Sequence, residues 1–431
     1  MSAPFLLHEH PQRQRLNNEL HARPPMSLAG PAQISYLAML HEGHSAEDEE
    51  AHLHRLCDQL GLPFCPMVDG DHWVMEAGDL RLKWERHTEF SGYTFFRACP
   101  NGVPEAGSAL EAFPTPWWQA IPGQVMVATH VDFVAARQKD PAPLLAELLQ
   151  SGVTVAASQV AEGAAWVISD FRIEAGFSRF TVIDAHLRPR QAGRTVQRLL
   201  EIETYRMMAL LAFPVAKEVG RLLGKVEAEV ADLMTRMGEA RSPEDERLLL
   251  ADLTRLAAQV EQSQTRTSFR FGAAEAYYRL VLQRIEELRE VRLNGFSPIR
   301  EFMDRRLAPA INTCLSAADR QNDASTRIAR KSALLRTRVD IELERQNQEL
   351  LTQMNRRASL QLRLQETVEG LSVVVLTYYG SQLVNYLAKG TKDWHHLSSD
   401  VITALSIPVI AALVFWGSRR MRKKLALLEA D

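Results

Sequence analysis

The chain has 431 residues, 46% hydrophobic and 24% charged, with 50 Lys and Arg against 53 Asp and Glu. This is globular composition, long enough for two or three domains, and a net charge of −3 gives no footprint for general nucleic-acid binding. The four cysteines, Cys57, Cys65, Cys99 and Cys314, include no C-x-x-C pair; their spacing matches neither a zinc site nor a disulfide framework and fits reduced thiols.

Residues 1–30 form a polar arm punctuated by Pro4, Pro11, Pro24 and Pro25. From 31 to 190 strand-like and helix-like stretches alternate. Gln33–Leu40 reads as a buried strand, and Ala46–Leu60 has helical spacing at Leu53, Leu56 and Leu60. His72–Glu76, Leu80–Arg86 and Tyr93–Arg97 read as strands joined at Gly78 and Ser91-Gly92. A loop rich in Pro and Gly spans Pro100–Pro122, with Trp117-Trp118 inside it as a lid on the sheet or an interaction site. Gln124–Phe133 then reads as a strand and Pro141–Leu149 as a helix, followed by strands at Val153–Ser158, Ala165–Ser169 and Arg179–Ile183. Hairpin-like links predict an antiparallel or mixed sheet with helices, an α+β cytoplasmic domain.

Residues 191–369 carry helical patterns and predict an all-α stalk or bundle. Thr195–Met237 keeps apolar residues at three-to-four spacing, with a bend at Pro214. Ser242-Pro243-Glu244-Asp245 signals a helix start, and Asn294–Pro298 a break. No proline falls between Pro309 and Pro408, so Ile311–Leu364 reads as one long helix running toward the first apolar segment. Its thin stripe of Val339, Leu343, Leu350 and Met354 is too irregular for a regular coiled coil but needs a partner, which points to a homo-oligomer.

Two C-terminal transmembrane helices complete the predicted architecture over 370–417. Gly370–Ala388 and Val401–Gly417 are uncharged and reach ~28 and ~26 Å as helices, against a bilayer core of ~30 Å. Arg356, Arg357 and Arg363 precede the pair, and Arg419, Arg420, Arg422, Lys423 and Lys424 follow it in the tail, 418–431. Basic flanks mark the cytoplasmic side, so residues 1–369 and the tail are expected there. No signal peptide is read at the N-terminus.

Three polar constellations stand out. Asn18, Glu19, His21 and Arg23 can grip an anion, or tie down a helix end before Pro24-Pro25. In Trp84–Phe90, Glu85 and His87 share a strand face, and Glu85 and Glu89 bracket His87. That set suits acid/base work or ligand binding, or plain cross-strand ion pairing. Within the first apolar segment Tyr378, Ser381, Gln382 and Asn385 share one side of a helix and predict helix–helix bonding or a pore lining. Nine of thirteen histidines precede residue 88, and His41, His44 and His52 raise the question of zinc. Their irregular spacing does not support it, and no metal or cofactor is expected. No phosphate loop, nucleophile elbow or His-Glu-x-x-His motif occurs.

Asn18–Pro25 (NELHARPP), Leu82–Phe95, Ala192–Glu218 and Glu366–Gly390 resemble an uncharacterised family of bacterial membrane-anchored proteins across nearly the whole chain. The resemblance implies a bacterial inner-membrane location and no reaction. The layout also looks like CorA-type divalent-cation channels, but Tyr379-Gly380-Ser381-Gln382 and Asn385-Tyr386 depart from their Gly-Met-Asn signature. The leading expectation is a non-enzymatic, membrane-tethered binding or scaffold protein. Ion transport and a tethered enzyme using Glu85, His87 and Glu89 are the alternatives.

Overall fold

The computed structural model describes residues 8, 10–19, 25–41, 43–64, 71–99, 107–136, 140–152, 154–240, 242–390 and 398–428. The first elements are α1 (Arg13–Glu19), β1 (Ala32–Leu40), α2 (Ala46–Leu60), β2 (His72–Ala77), β3 (Leu80–Arg86) and β4 (Phe90–Ala98). After a 3-10 turn at Leu110–Ala112 come α3 (Thr115–Trp118), β5 (Gln124–Ala135), α4 (Pro141–Ser151), β6 (Ala156–Val160), β7 (Ala165–Ser169) and β8 (Ser178–Asp184). The helical half holds α5 (Pro189–Leu210), α6 (Ala212–Glu239), α7 (Pro243–Leu288), the short β9 (Val291–Arg292), α8 (Ile299–Arg306), α9 (Ala308–Gly390) and α10 (Ser399–Leu428). The chain divides into two compact units, Met1–Ala240 with Leu248–Ser332, and Arg241–Arg247 with Ala333–Asp431.

The first unit is built on a nine-stranded sheet in the order β2-β3-β4-β1-β5-β8-β7-β6-β9. Its described ladders are antiparallel except β5–β8, which is parallel. The α+β expectation therefore holds for this region. β1 is buried at eight of nine positions because it lies between β4 and β5 and both its faces are covered. On the front face Ile34, Tyr36, Val131, Phe133, Phe180 and Val182 meet Val196, Leu199, Ile202 and Met208 of α5 and Val281 and Ile285 of α7. On the back face α2 packs Leu53 and Leu56 against Leu82, Trp84, Tyr93 and Phe95. Farther along, α4 rests Leu144 and Leu148 against Val155, Ile168 and Ile183.

The boundary expected at 190/191 lies inside the first unit. α5, α6, α8 and the Ala308–Ser332 part of α9 belong to the unit that holds the sheet, because the apolar stripe of α5 is what covers the front face. The bend expected at Pro214 appears as a break at Leu211 between α5 and α6; Pro214 offers no N–H to the Leu210 carbonyl.

In the second unit α9 continues to Gly390, and every residue from 343 to 368 is exposed. One described segment, Ser399–Arg420 of α10, is long and apolar enough to cross a bilayer. The expectation of two such segments is corrected: Gly370–Ala388 is helical, but its tyrosines, Gln382 and Asn385 dilute its apolar character. The two segments pack together, since a Cβ on Gly380 would lie 2.9 Å from Cγ2 of Ile410. Ser381 and Ala388 are buried, while Leu376, Leu383, Leu405, Leu413 and Trp416 are exposed.

Gly193 shows how tightly α5 meets the chain before β1. A Cβ there would sit 1.5 Å from the backbone oxygen of Met26, whereas Gly220 of α6 has nothing within 4 Å. Gly193→Ala should lower stability by several kcal/mol, as steric insertion into packed backbone does. Gly220→Ala should raise it by about 0.5–1 kcal/mol through helix propensity. Denaturant unfolding of both variants checks the pair.

Candidate ligand-binding cleft

Strand alternation splits the polar string around β3 between two faces. Leu82, Trp84 and Arg86 point to the back; Lys83, Glu85 and His87 point to the front.

On the back face the organising group is Glu49 of α2, wholly buried. Its carboxylate accepts from Trp84 Nε1 at 2.9 Å, Ser91 Oγ at 2.7 Å and the Arg86 guanidinium. His44 Nε2 lies 2.8 Å from Oε1, and His41 Nε2 3.7 Å from it. α2 starts on a capping box of Ser45 and Asp48, which fixes Glu49 one residue beyond the reciprocal bonds. His41, His44 and Glu49 could converge on a metal ion. Arg86, however, already neutralises Glu49, and burial together with Arg86 holds the His41 pKa below its usual value. A divalent cation here would be buried beside a guanidinium, so the cluster is read as a closed structural network. His52, the third histidine of that expectation, is elsewhere: it stacks on Trp117 at 4.6 Å, and its carbonyl accepts from Trp117 Nε1 at 2.7 Å. Trp117 is thereby the lid on the sheet.

On the front face a cleft of about 270 Å³ opens between β1, β3, β4 and α5. Lys83 and Glu85 line it as an ion pair, Nζ to Oε1 2.9 Å, with only 4% and 14% of their side chains exposed. Opposite them Glu201 of α5 binds the guanidinium of Arg284 of α7 and accepts from Gln197 Nε2 at 2.8 Å. Tyr36 and Tyr205 close the interior, and burial raises both phenol pKa values so that they stay protonated. The Tyr36 hydroxyl is 3.3 Å from Thr204 Oγ1. Gly92, facing Glu85 across the ladder, makes room for it, since a Cβ there would come 2.9 Å from that hydroxyl.

Of the residues read from the sequence, Glu85 and His87 line this cleft together. Glu89 does not join them. It accepts from Arg270 at 2.5 Å and Tyr277 at 3.3 Å, tying the turn between β3 and β4 to α7, and His87 stacks on Phe90. The bracketed acid/base set is thus corrected: a strand end turns Glu89 toward the helices. His21 and Arg23 lie outside the described residues, and of Asn18 and Glu19 only the α1 backbone is described. In the C-terminal set Ser381 is buried, Gln382 and Asn385 are half-buried, and Tyr378 is 59% exposed. Sequence reasoning missed Lys83, Glu201, Tyr205 and Arg284. For α5 the signal was present: Gln197, Glu201 and Tyr205 recur every four residues on one side of an apolar helix.

A wider groove of about 860 Å³ lies on the back face, where neither α2 nor α4 covers β1, β5 and β8. Its charges are partly self-paired, Arg179 to Asp132 at 2.8 Å, and Phe177 stacks 4.0 Å over His130. The smaller cleft is the better-built site.

The chain thus joins a sheet-bearing unit with a cleft on its front face to a described helix apolar and long enough to cross a membrane. The chain belongs to the family described as protein of unknown function (DUF3422), whose model matches residues 8–425. A stretch of 127 residues is 30% identical to DNA-directed RNA polymerase subunit Rpo1C of Halococcus morrhuae, covering 28% of either chain. No solved structure matches.

Burial depresses the pKa of His52 and of His130 to about 4. The unfolded chain, with ordinary histidine pKa near ~6.5, binds more protons than the folded one in that interval. Folding stability is therefore fully present above about pH 6.5 and falls as pH drops toward about 4. In urea titrations across this range, His52→Gln and His130→Gln should each flatten the decline.

Proposed function

We propose that this protein is a membrane-associated binding protein whose sheet-bearing unit takes a small polar ligand in the front cleft. The observation that carries the reading is the enclosure of two ion pairs, Lys83–Glu85 and Glu201–Arg284, in one cavity with two buried tyrosines. Such pairs are poor stabilisers: well-packed apolar replacements often gain ~1–4 kcal/mol. Their presence around an open cavity supports a binding role.

The membrane part rests on Ser399–Arg420. On this reading Ser399–Arg420 is the membrane segment, with Arg419 and Arg420 at its basic end. The exposed stretch 343–368, with Leu343, Leu350, Met354 and Leu364 along it, supports self-association. A ring-sized mass in detergent would favour the CorA-like alternative over a tethered binder. Of the residues of the enzyme alternative, Glu85 and Glu89 are each held by a cation, and His87 lines the cleft with Glu85.

Thermal-shift screening of the full-length protein in mild detergent tests the cleft. Among charged and zwitterionic metabolites, at least one should raise the Tm of the wild type and not of Glu201→Gln/Arg284→Met. A panel that never distinguishes the two proteins removes the reading. Full-length protein should also stay with membranes through carbonate extraction, and a chain ending at Val368 should be released; retention of the short chain would remove the assignment of α10 as anchor.

A further inference from the structure

Resting on the cleft as a ligand site, the chemistry of its walls narrows what it holds. The four charges cancel: Lys83 against Glu85, Arg284 against Glu201. A ligand of one sign would leave an uncompensated charge in a poorly hydrated space. A ligand with both signs can exchange partners with the two pairs and bury no net charge.

The ends of such a ligand can be placed. Tyr36, Tyr205, Glu85 and Glu201 all line this one cavity. Phe90 and Phe96 line the same cavity. Four aromatic rings with two carboxylates form the environment that attracts an alkylated ammonium, through ring faces as well as charge. A bare primary ammonium would gain less from the rings and would require more hydrogen-bond acceptors. On such an exchange Lys83 and Arg284 turn from Glu85 and Glu201 to the ligand's anionic group, while Arg284 Nη1 keeps its 3.0 Å bond to Glu287. The volume of about 270 Å³ suits a metabolite of a few bonds between charges and excludes an extended chain.

We infer that the front cleft binds a betaine-type zwitterion, an alkylated ammonium carrying a carboxylate, with the ammonium among Tyr36, Tyr205, Glu85 and Glu201 and the carboxylate toward Lys83 and Arg284.

Isothermal titration of the full-length protein in detergent with glycine betaine, glycine, choline and acetate tests this. Glycine betaine should bind at least about tenfold more tightly than each of the other three, a difference of ~1.4 kcal/mol. Lys83→Met/Glu85→Gln, which removes both charges together, should abolish its binding. Should that variant fail to fold, Tyr205→Leu keeps every charge and removes one ring, and should weaken betaine more than glycine. Equal binding of choline or acetate overturns the zwitterion. Equal binding of glycine overturns the alkylated ammonium. If none of the four binds while another compound stabilises the wild type and not Glu201→Gln/Arg284→Met, the ligand class falls and the cleft stands. If no compound of either set binds, both fall.

Discussion

A carboxylate with no solvent contact sits beneath everything else in the sheet-bearing unit. Glu49 must be satisfied inside the protein, because an unpaired buried charge costs several kcal/mol. Its partners come from three places: the loop after β1 (His41, His44), β3 (Trp84, Arg86) and β4 (Ser91). Meeting them all fixes how α2 lies on the back face and which way the side chains of β3 point. With Trp84 and Arg86 turned to Glu49, Lys83 and Glu85 have only the front face left. The cleft under α5 is thus a geometric consequence of a network on the other side of the sheet.

That link explains what the sequence could and could not reveal. Strand periodicity puts Glu85 and His87 on one face, and they do line one cavity. Lys83 belongs to the same period, but a lysine beside Trp84 reads as an ordinary exposed strand residue. Its burial depends on α5, which begins more than a hundred residues later. Arg284 is still more remote: its role needs α7 to lie against α5, and local patterning contains no such information. Glu89 misled because it sits where the strand ends and the alternation stops. The strands themselves were legible because β-branched and aromatic residues cluster between glycines. The contact of α5 with the sheet was illegible for a different reason. An amphipathic stripe shows that a helix has a partner without showing which.

The second unit repeats the lesson. Residues 343–368 are exposed around the whole helix, so their stability draws on no packing within the described chain. Beyond them the pattern inverts, with Gly380 against Ile410 and leucines outward. Composition alone could locate this inversion. The close approach at Gly380, which decides how the two apolar stretches meet, appears only with the coordinates.

β1 has a cost of its own. It precedes both β4 and β5 in the chain, yet it ends between them with both edges paired, Ile34 opposite Phe96 on one side and Val131 on the other. While the chain is being synthesised, β2, β3 and β4 can pair with sequence neighbours, but the second edge of β1 stays open until β5 emerges. An apolar strand with an unpaired edge is a template for wrong partners. The nascent protein is therefore most vulnerable to aggregation during that interval, when a chaperone holding the first hundred or so residues would matter most.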